Sequence, residues 1–398
     1  MKILVINCGS SSLKYQLIDM DGEQVLCRGL CDRIGIDGST ISHKAKGEEF
    51  KKDVALPDHA EAFTQMLAMM TEGEGAVVAS KDEISAVGHR VVHGGEKFST
   101  SAIVTDDIIK AIEEVSPLAP LHNPPNLQGI RSAQQVFGKS VPQVAVFDTA
   151  FHQTMPAKAY MYALPYEFYE KYAIRRYGFH GTSHRYVSAK AAEFMGKKLE
   201  DVKIVTCHLG NGSSIAAVDC GKSVDTSMGL TPVAGLIMGT RCGDVDPGVI
   251  CYMNDLTGKS GSEMSDLLNK KSGFLGVSGL SSDKRDVEAA AKDGNKRAQL
   301  VDEMLIYQIK KFVGAYAAAM NGVDCVVFTG GIGENGAGVR AAVCGDMEYM
   351  GLSIDKEKND RRGEDFDFAT ADSKVRALVI QTDEELMIAR DTLELVAK

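Results

Sequence analysis

One device occurs twice in this chain, about 200 residues apart, and it restricts the fold more than any other feature. Lys2-Ile-Leu-Val-Ile-Asn-Cys-Gly-Ser-Ser-Ser-Leu-Lys14 and Lys203-Ile-Val-Thr-Cys-His-Leu-Gly-Asn-Gly-Ser-Ser-Ile215 each set an apolar strand before a Gly/Ser/Asn turn that leads into a second apolar run. Such a repeat implies two similar lobes. Glycine lets backbone N–H groups converge on an anion, and Ser and Asn side chains add uncharged donors, so each turn can cradle a phosphate. A cleft between two such lobes suits a nucleotide. Two ordinary hairpins use the same turn residues, so the pair alone leaves both readings open.

A chain of 398 residues is long enough for two domains, each with its own core. Hydrophobic content of 44% beside 25% charged residues is that of an ordinary globular protein. The net charge of −10 opposes nonspecific binding to nucleic acid or an acidic membrane, so a phosphate site must be locally basic. Nine cysteines show no Cys-x-x-Cys pair and no zinc spacing, which predicts reduced, mostly buried thiols. Met1-Lys2 and four apolar residues are too short for a signal-peptide core, and no apolar run has membrane-spanning length. A cytoplasmic protein is the expectation.

Strand-like runs at 2–7, 13–19, 84–92 and 143–147 surround a helix-like stretch at 58–70. The second half repeats the style, with strands at 203–208, 214–218, 324–329 and 375–381. Apolar positions 301, 304, 305, 309, 312, 313, 316 and 320 mark one long helix at period 3.6. The order predicts α/β lobes with mixed sheets flanked by helices. Thr382-Asp-Glu-Glu385 has capping-box spacing, which starts a terminal helix with Glu384 in its first turn. Pro117 to Pro125 is expected to be an extended, rigid loop. The N-terminal lobe is expected over 1–150, completed by a helix at 385–398, and the C-terminal lobe over 151–384.

Polar clusters flanked by glycine carry the chemistry: His89-Arg90-Val-Val-His93-Gly-Gly95, Tyr177-Gly-Phe-His180-Gly-Thr-Ser-His184 and Met238-Gly-Thr-Arg241-Cys-Gly-Asp244-Val-Asp246. Each alone could be a decorated turn, yet two arginines in such settings favour paired contacts to a carboxylate or phosphate. The Gly-Lys-Ser triplets at 221–223 and 258–260 are not P-loops, because Ala216 and Met253 stand where that pattern needs glycine. Gly331-Ile-Gly333-Glu-Asn-Gly336 matches the dinucleotide fingerprint after an apparent strand. Its late position leaves little chain for a Rossmann domain, and a Gly-rich wall against adenine or ribose explains it equally well.

Seven ordered motifs are then specific. Asn7-Cys-Gly-Ser-Ser-Ser-Leu-Lys14, His89 to Gly95, Phe147-Asp-Thr-Ala-Phe-His152, Gly178 to His184, His208-Leu-Gly-Asn-Gly-Ser-Ser214, Arg241-Cys-Gly-Asp-Val-Asp-Pro247 and Thr329-Gly-Gly-Ile-Gly-Glu-Asn335 resemble the acetate kinase family, end to end. The resemblance implies the duplicated lobes of the actin, Hsp70 and sugar-kinase superfamily. It further implies reversible transfer of the γ-phosphoryl of ATP to acetate, giving acetyl phosphate and ADP, with Mg²⁺ as cofactor and Mn²⁺ as a substitute. A homodimer with lobes closing around small-molecule substrates is also implied, with no nucleic-acid or membrane partner.

Acetate is already ionised at neutral pH, so its oxygen attacks without losing a proton; positioning and charge neutralisation matter more than a general base. By resemblance, Arg90 and Arg241 hold the carboxylate and the equatorial oxygens, and His180 hydrogen-bonds the phosphoryl group. Asn7, Ser10, Ser12 and Lys14 in the first turn, and His208, Gly210, Asn211 and Gly212 in the second, meet the phosphates. Asp148, Glu384 and Asn7 are linked to the metal. Asp148 also has a plainer reading, as a turn cap after a strand. Val92, Leu121, His122, Phe179 and Pro232 join Arg90 around the substrate; His122 could equally brace its loop. Branched Val92 favours the smallest acid, but a methylene is worth only about 1–3 kcal/mol, so some propionate activity is expected. Asp283 and Arg285, with Gly330, Gly331, Ile332, Gly333 and Asn335, fall on the adenosine side, where Gly331 leaves an open wall. Lys284 departs from the bulky apolar residue expected beside them.

Readings from other classes are weaker. A nicotinamide dehydrogenase does not explain two phosphate turns, and a nucleotide-driven binding protein needs a partner domain for which no length remains. Phosphoenzyme formation on Glu384 or Asp148 is less simple than metal ligation by either.

Overall fold

The structure is a computed structural model that describes residues 1–397. The chain divides into two units, Met1–Phe151 with Asp383–Lys398, and His152–Thr382.

The first unit is built on eight strands: β1 (Lys2–Cys8), β2 (Ser12–Asp19), β3 (Gln24–Asp32), β4 (Thr40–Ala45), β5 (Glu48–Asp53), β6 (Ile84–Val91), β7 (Ala102–Ile103) and β8 (Gln143–Phe147). They run in the order β5-β4-β3-β2-β1-β6-β8-β7. β1 pairs antiparallel with β2 and parallel with β6, so β1 is central and both of its faces are covered. Alternate residues show this: Leu4 and Ile6 belong to one buried cluster with Phe63, Met66, Ala133 and Phe137, while Ile3 and Val5 join Ile388 and Ala389 on the other face. The helix Glu384–Val396 therefore completes the first unit's core. Its close approach depends on Gly88, where a Cβ would stand 2.5 Å from Thr392 Oγ1 and 2.7 Å from Ile388 Cγ2.

The second unit repeats the centre of this plan. Its strands are β9 (Lys203–Leu209), β10 (Ser213–Asp219), β11 (Lys222–Thr226), β12 (Cys325–Thr329), β13 (Phe366–Asp367) and β14 (Arg376–Val379), in the order β11-β10-β9-β12-β14-β13. The five strands β3-β2-β1-β6-β8 and β11-β10-β9-β12-β14 thus have matching order and the same parallel and antiparallel senses. The helix Lys296–Ala319 lays Val301, Leu305, Ile309, Val313 and Tyr316 on the core that contains Val205, Cys207, Val326 and Phe328. The helix Gly181–Phe194 packs against β9 and β12.

All nine cysteines are free, and six of them are buried. No described helix is long and apolar enough to cross a membrane.

Two local expectations are corrected. The proline stretch is not an extended loop: Ser116–Leu118 is a 3₁₀ turn, and Pro124 and Pro125 lie in the first turn of the helix Asn123–Phe137. Proline is at home there, because the first N–H groups of a helix have no internal partner. The terminal helix is capped by Asp383, whose carboxylate accepts from Leu386 N at 2.8 Å. Thr382 is engaged elsewhere, its hydroxyl 2.8 Å from Ser183 Oγ and its N–H donating to Glu334. Glu384 is therefore the first residue of that helix and stands in the first unit.

Candidate active site

In the first unit, three charged residues predicted from sequence come together at strand ends and a helix start. Arg90 leaves β6 and meets Asp148, just beyond β8, in a two-pronged ion pair: Nε to Oδ1 at 3.0 Å and Nη2 to Oδ2 at 2.6 Å. Asp148 is 1% exposed and Arg90 23%. Burial works against the Arg90 charge, but Asp148 and Glu384 outweigh it and hold the guanidinium firmly protonated. Glu384 is the complement: burial raises its carboxyl to about 7, Arg90 pulls it down, Asp148 pushes it up and Lys14 pulls it down again. Both Asp148 oxygens are taken up by Arg90, so in this arrangement Asp148 orients the arginine.

Glu384 Oε1 is enclosed without a hydrogen-bond partner. An orphaned buried carboxylate oxygen fits a cation that keeps most of its water, as Mg²⁺ does. No group of three His, Cys, Asp or Glu side chains is placed to hold a metal ion among the described residues; a site of one or two protein oxygens plus phosphate needs none.

The first turn is a tight hairpin closed by Gly9 N–H to Ser12 O at 2.8 Å, with Asn7 paired to Lys14 across β1 and β2. Ser10 and Lys14 are exposed. Val92 is buried, and Asn126 holds it: the amide oxygen accepts from Val92 N at 3.0 Å, and the amide nitrogen donates to Cys8 O at 2.8 Å. Asn123 does the same for His93, through its N–H at 3.1 Å and its carbonyl at 2.9 Å. These two asparagines, missed in the sequence, tie the end of β6 to the helix that begins with prolines. An Asn-Pro-Pro-Asn string opening an apolar periodic run was the available signal. His122 is that helix's N-cap residue, without a side-chain capping bond, and Leu121 is 59% exposed.

In the second unit, the turn between β9 and β10 is closed by Ser213, whose hydroxyl donates to Gly210 O at 3.0 Å. Arg241 and His180 flank this turn: a methyl on Gly212 would lie 3.3 Å from Arg241 Nη1 and 3.5 Å from His180 Nε2. Arg241 Nη1 also donates to Pro232 O at 3.2 Å, and the loop before it is tied to the turn by Gly239 N–H to Asn211 O at 3.1 Å. His180 has φ +55, left-handed for a non-glycine residue, directly before the helix Gly181–Phe194. Such strain persists only where surrounding contacts hold it, and here the ring stacks on His208 at 4.2 Å between centroids. His208 in turn reaches Ser183 Oγ at 2.8 Å. Phe179 is buried, and its carbonyl meets His152 Nε2 at 3.0 Å.

A cavity of about 1130 Å³ in the same unit is lined by Gly210, Asn211, Asp283, Arg285, Gly331, Ile332 and Asn335, seven of the residues assigned to the nucleotide. This volume accepts a nucleotide. Gly330 and Gly333 are buried behind that wall, while nothing lies within 4 Å of a Cβ built on Gly331. Gly331 to Gly336 is mostly a short helix, Gly330–Asn335, whose last carbonyls are held by the fully buried Arg340 at 2.8 Å. Asp283 caps the helix Lys284–Lys292 and grips Arg285. Lys284, expected to be apolar, is buried along the cavity wall with its ammonium turned to Asp302 at 3.0 Å. Its stem supplies apolar surface and its charge is satisfied.

The acetokinase family model matches residues 2–390. The chain is 58% identical to an acetate kinase of Thermotoga maritima over 401 aligned positions, covering 100% of this chain and 99% of that one. It is 56% identical to an acetate kinase of Clostridium botulinum strain Loch Maree, with full coverage of both. An acetate kinase crystal structure from Porphyromonas gingivalis superposes with a TM-score of 0.96 at 50% identity, and a propionate kinase from Francisella tularensis with 0.92 at 43%, each over 99% of both chains. The two similar lobes expected from the repeat are present as two mixed, helix-flanked sheets with a matching strand order, in a fold shared with that acetate kinase structure. By sequence along nearly its whole length and by fold, the chain belongs to the acetokinase family, that of the acetate kinases.

Proposed function

We propose that the protein transfers the γ-phosphoryl group of ATP reversibly to acetate, giving acetyl phosphate and ADP. The observation that carries this reading is the chain-long match to acetate kinases at 55–58% identity. In the forward step an acetate oxygen forms a bond to the γ-phosphorus in line with the breaking bond to the β–γ bridging oxygen, and ADP leaves. No proton moves, which agrees with a site of arginines rather than a general base. Arg90, aligned by Asp148, holds the acetate carboxylate, and Arg241 and His180 meet the equatorial oxygens beside the Gly212 turn. The nucleotide lies in the cavity of the second unit, its phosphates toward Asn211.

Glu384, with Asn7 beside it, would hold Mg²⁺, which when bound offsets phosphate charge. The orphaned Glu384 oxygen supports this assignment. Val92, Phe179 and Pro232 limit the acyl group. A cytoplasmic homodimer is what membership of the family suggests, and the acidic net charge disfavours a nucleic-acid or acidic-membrane partner.

A second reading, propionate as the preferred acid, is favoured by the likeness to a chain described as a propionate kinase. Acyl phosphate formation from ATP and Mg²⁺ with acetate, propionate and butyrate, trapped with hydroxylamine, decides between them. Acetate leading supports the pocket reading; propionate or butyrate leading overturns it; no product from any acid removes the kinase assignment.

A further inference from the structure

His184 lies one helical turn beyond His180 and is fully buried. Its Nδ1 is 2.7 Å from Thr206 Oγ1 and its Nε2 is 2.7 Å from Ser214 Oγ. The same Ser214 hydroxyl is 2.9 Å from Nδ1 of His180. Thr206, His184, Ser214 and His180 thus form a single hydrogen-bonded chain that ends on a residue beside the phosphate turn.

Burial, with His152 and His208 adding to it, pushes His184 well below its ordinary pKa, so its ring carries one proton. A hydroxyl also has one proton to donate, and the buried Ser214 hydroxyl, whose side-chain partners are the two histidines, must give its proton to one of them, which leaves the chain only two senses. In one, Thr206 donates to His184 Nδ1, His184 Nε2–H donates to Ser214, and Ser214 donates to His180 Nδ1. In the other, every bond is reversed. Thr206 decides between them: its proton has two acceptors in reach, His184 Nδ1 at 2.7 Å and Ala216 O at 3.5 Å. The first is the length of a good hydroxyl-donated bond and the second is at the limit of one.

We propose that Thr206, His184 and Ser214 are positioning residues that keep the proton of neutral His180 on Nε2. That nitrogen faces the turn, 3.5 Å from where a Gly212 methyl would stand. His180 then offers a phosphoryl oxygen an N–H donor without first acquiring a charge. With the chain reversed, the neutral ring would present a lone pair to an anion. This inference rests on the reading of His180 as a donor to the phosphoryl group, but the proton's place can be measured without turnover.

The experiment is long-range ¹H–¹⁵N NMR of the full-length protein with ¹⁵N-labelled histidine, the His180 signals being identified by their loss in His180→Asn. Wild type is expected to show His180 protonated on Nε2 and bare on Nδ1. Ser214→Ala should give a mixture of the two forms and lower kcat about tenfold, less than the 10²–10³ of deleting a donor outright, with the KM for ATP within about twofold. Thr206→Val keeps the side chain's shape and should shift the same populations if Ser214→Ala does not fold. A wild-type proton on Nδ1, or an unchanged His180 in both variants, overturns the proposal. Absence of acyl phosphate from wild type would instead refute the kinase reading and leave the proton assignment standing.

Discussion

Removing one end of the Arg90–Asp148 pair should cost very different amounts depending on which end goes. The two contacts, at 3.0 and 2.6 Å, satisfy a carboxylate that is 1% exposed, whereas the guanidinium is 23% exposed. Arg90→Ala strands the Asp148 charge where water cannot reach it, a situation that costs about 3–5 kcal/mol. Part of this is relieved, because losing Arg90 also raises the already elevated Glu384 carboxyl and lets it protonate. Asp148→Asn leaves an arginine that can turn to solvent, so about 1–2 kcal/mol is expected. The double variant Arg90→Ala with Asp148→Asn buries no unpaired charge and should be less destabilised than Arg90→Ala alone. Urea unfolding of metal- and nucleotide-free protein, read by hydrogen exchange in β6 and β8, reports the first unit by itself. If Asp148→Asn proved as damaging as Arg90→Ala, or if the double variant matched the sum of the singles, the pair would not act as an orienting device. Turnover should fall in both singles, by about 10³-fold for Arg90→Ala.

Gly212→Ala has room for its backbone but brings a methyl within 3.3–3.5 Å of Arg241 and His180; kcat should drop about 10²-fold with stability changed by less than about 1 kcal/mol, and steady-state kinetics beside thermal melts will show whether the two separate. The Glu384 carboxyl, raised to about 7 by burial from its ordinary 4.5, contributes stability that is complete below pH 4.5 and lost as pH climbs through 7, by no more than about 3 kcal/mol. Added Mg²⁺ should therefore stabilise the protein increasingly from pH 5.5 to 8, and Glu384→Gln should abolish that trend; a pH-independent Mg²⁺ effect in melting curves would contradict it. Lys284→Leu should leave Asp302 without its cation and lower stability by about 1–2 kcal/mol while kcat stays the same, a prediction that a fall in kcat without a fall in melting temperature would sink.

Much of the architecture was legible because it is repetitive and periodic. β1 and β9 begin and end within a residue of their predicted spans, and the long helix shows its buried stripe at Val301, Leu305, Ile309 and Val313. The hairpins β3 to β5 were not found: Glu48–Asp53 is almost wholly polar and exposed, so no alternation marks it. The prolines misled for a different reason, since the same residue that breaks a helix interior is favoured in its first turn. Arg90, Arg241 and His180 were visible through their glycine neighbours. The supports of Val92, His180 and His184 were not, because Asn126, Ser214 and Thr206 lie far along the chain from what they hold and resemble any buried polar residue until partners are placed.

The helix Glu384–Val396 belongs to a sheet whose strands are all made before residue 148, yet it follows the whole of His152–Thr382 in the chain. At about 5–20 residues per second of synthesis, the first unit waits roughly 10–50 s for the layer that covers Ile3, Val5, Ala86 and Val146. During that interval an apolar sheet face stands open, a natural target for chaperones. A chain that stops short of this helix lacks both the covering layer and Glu384, so a truncated product can neither bury that face of its first sheet nor assemble its charged centre.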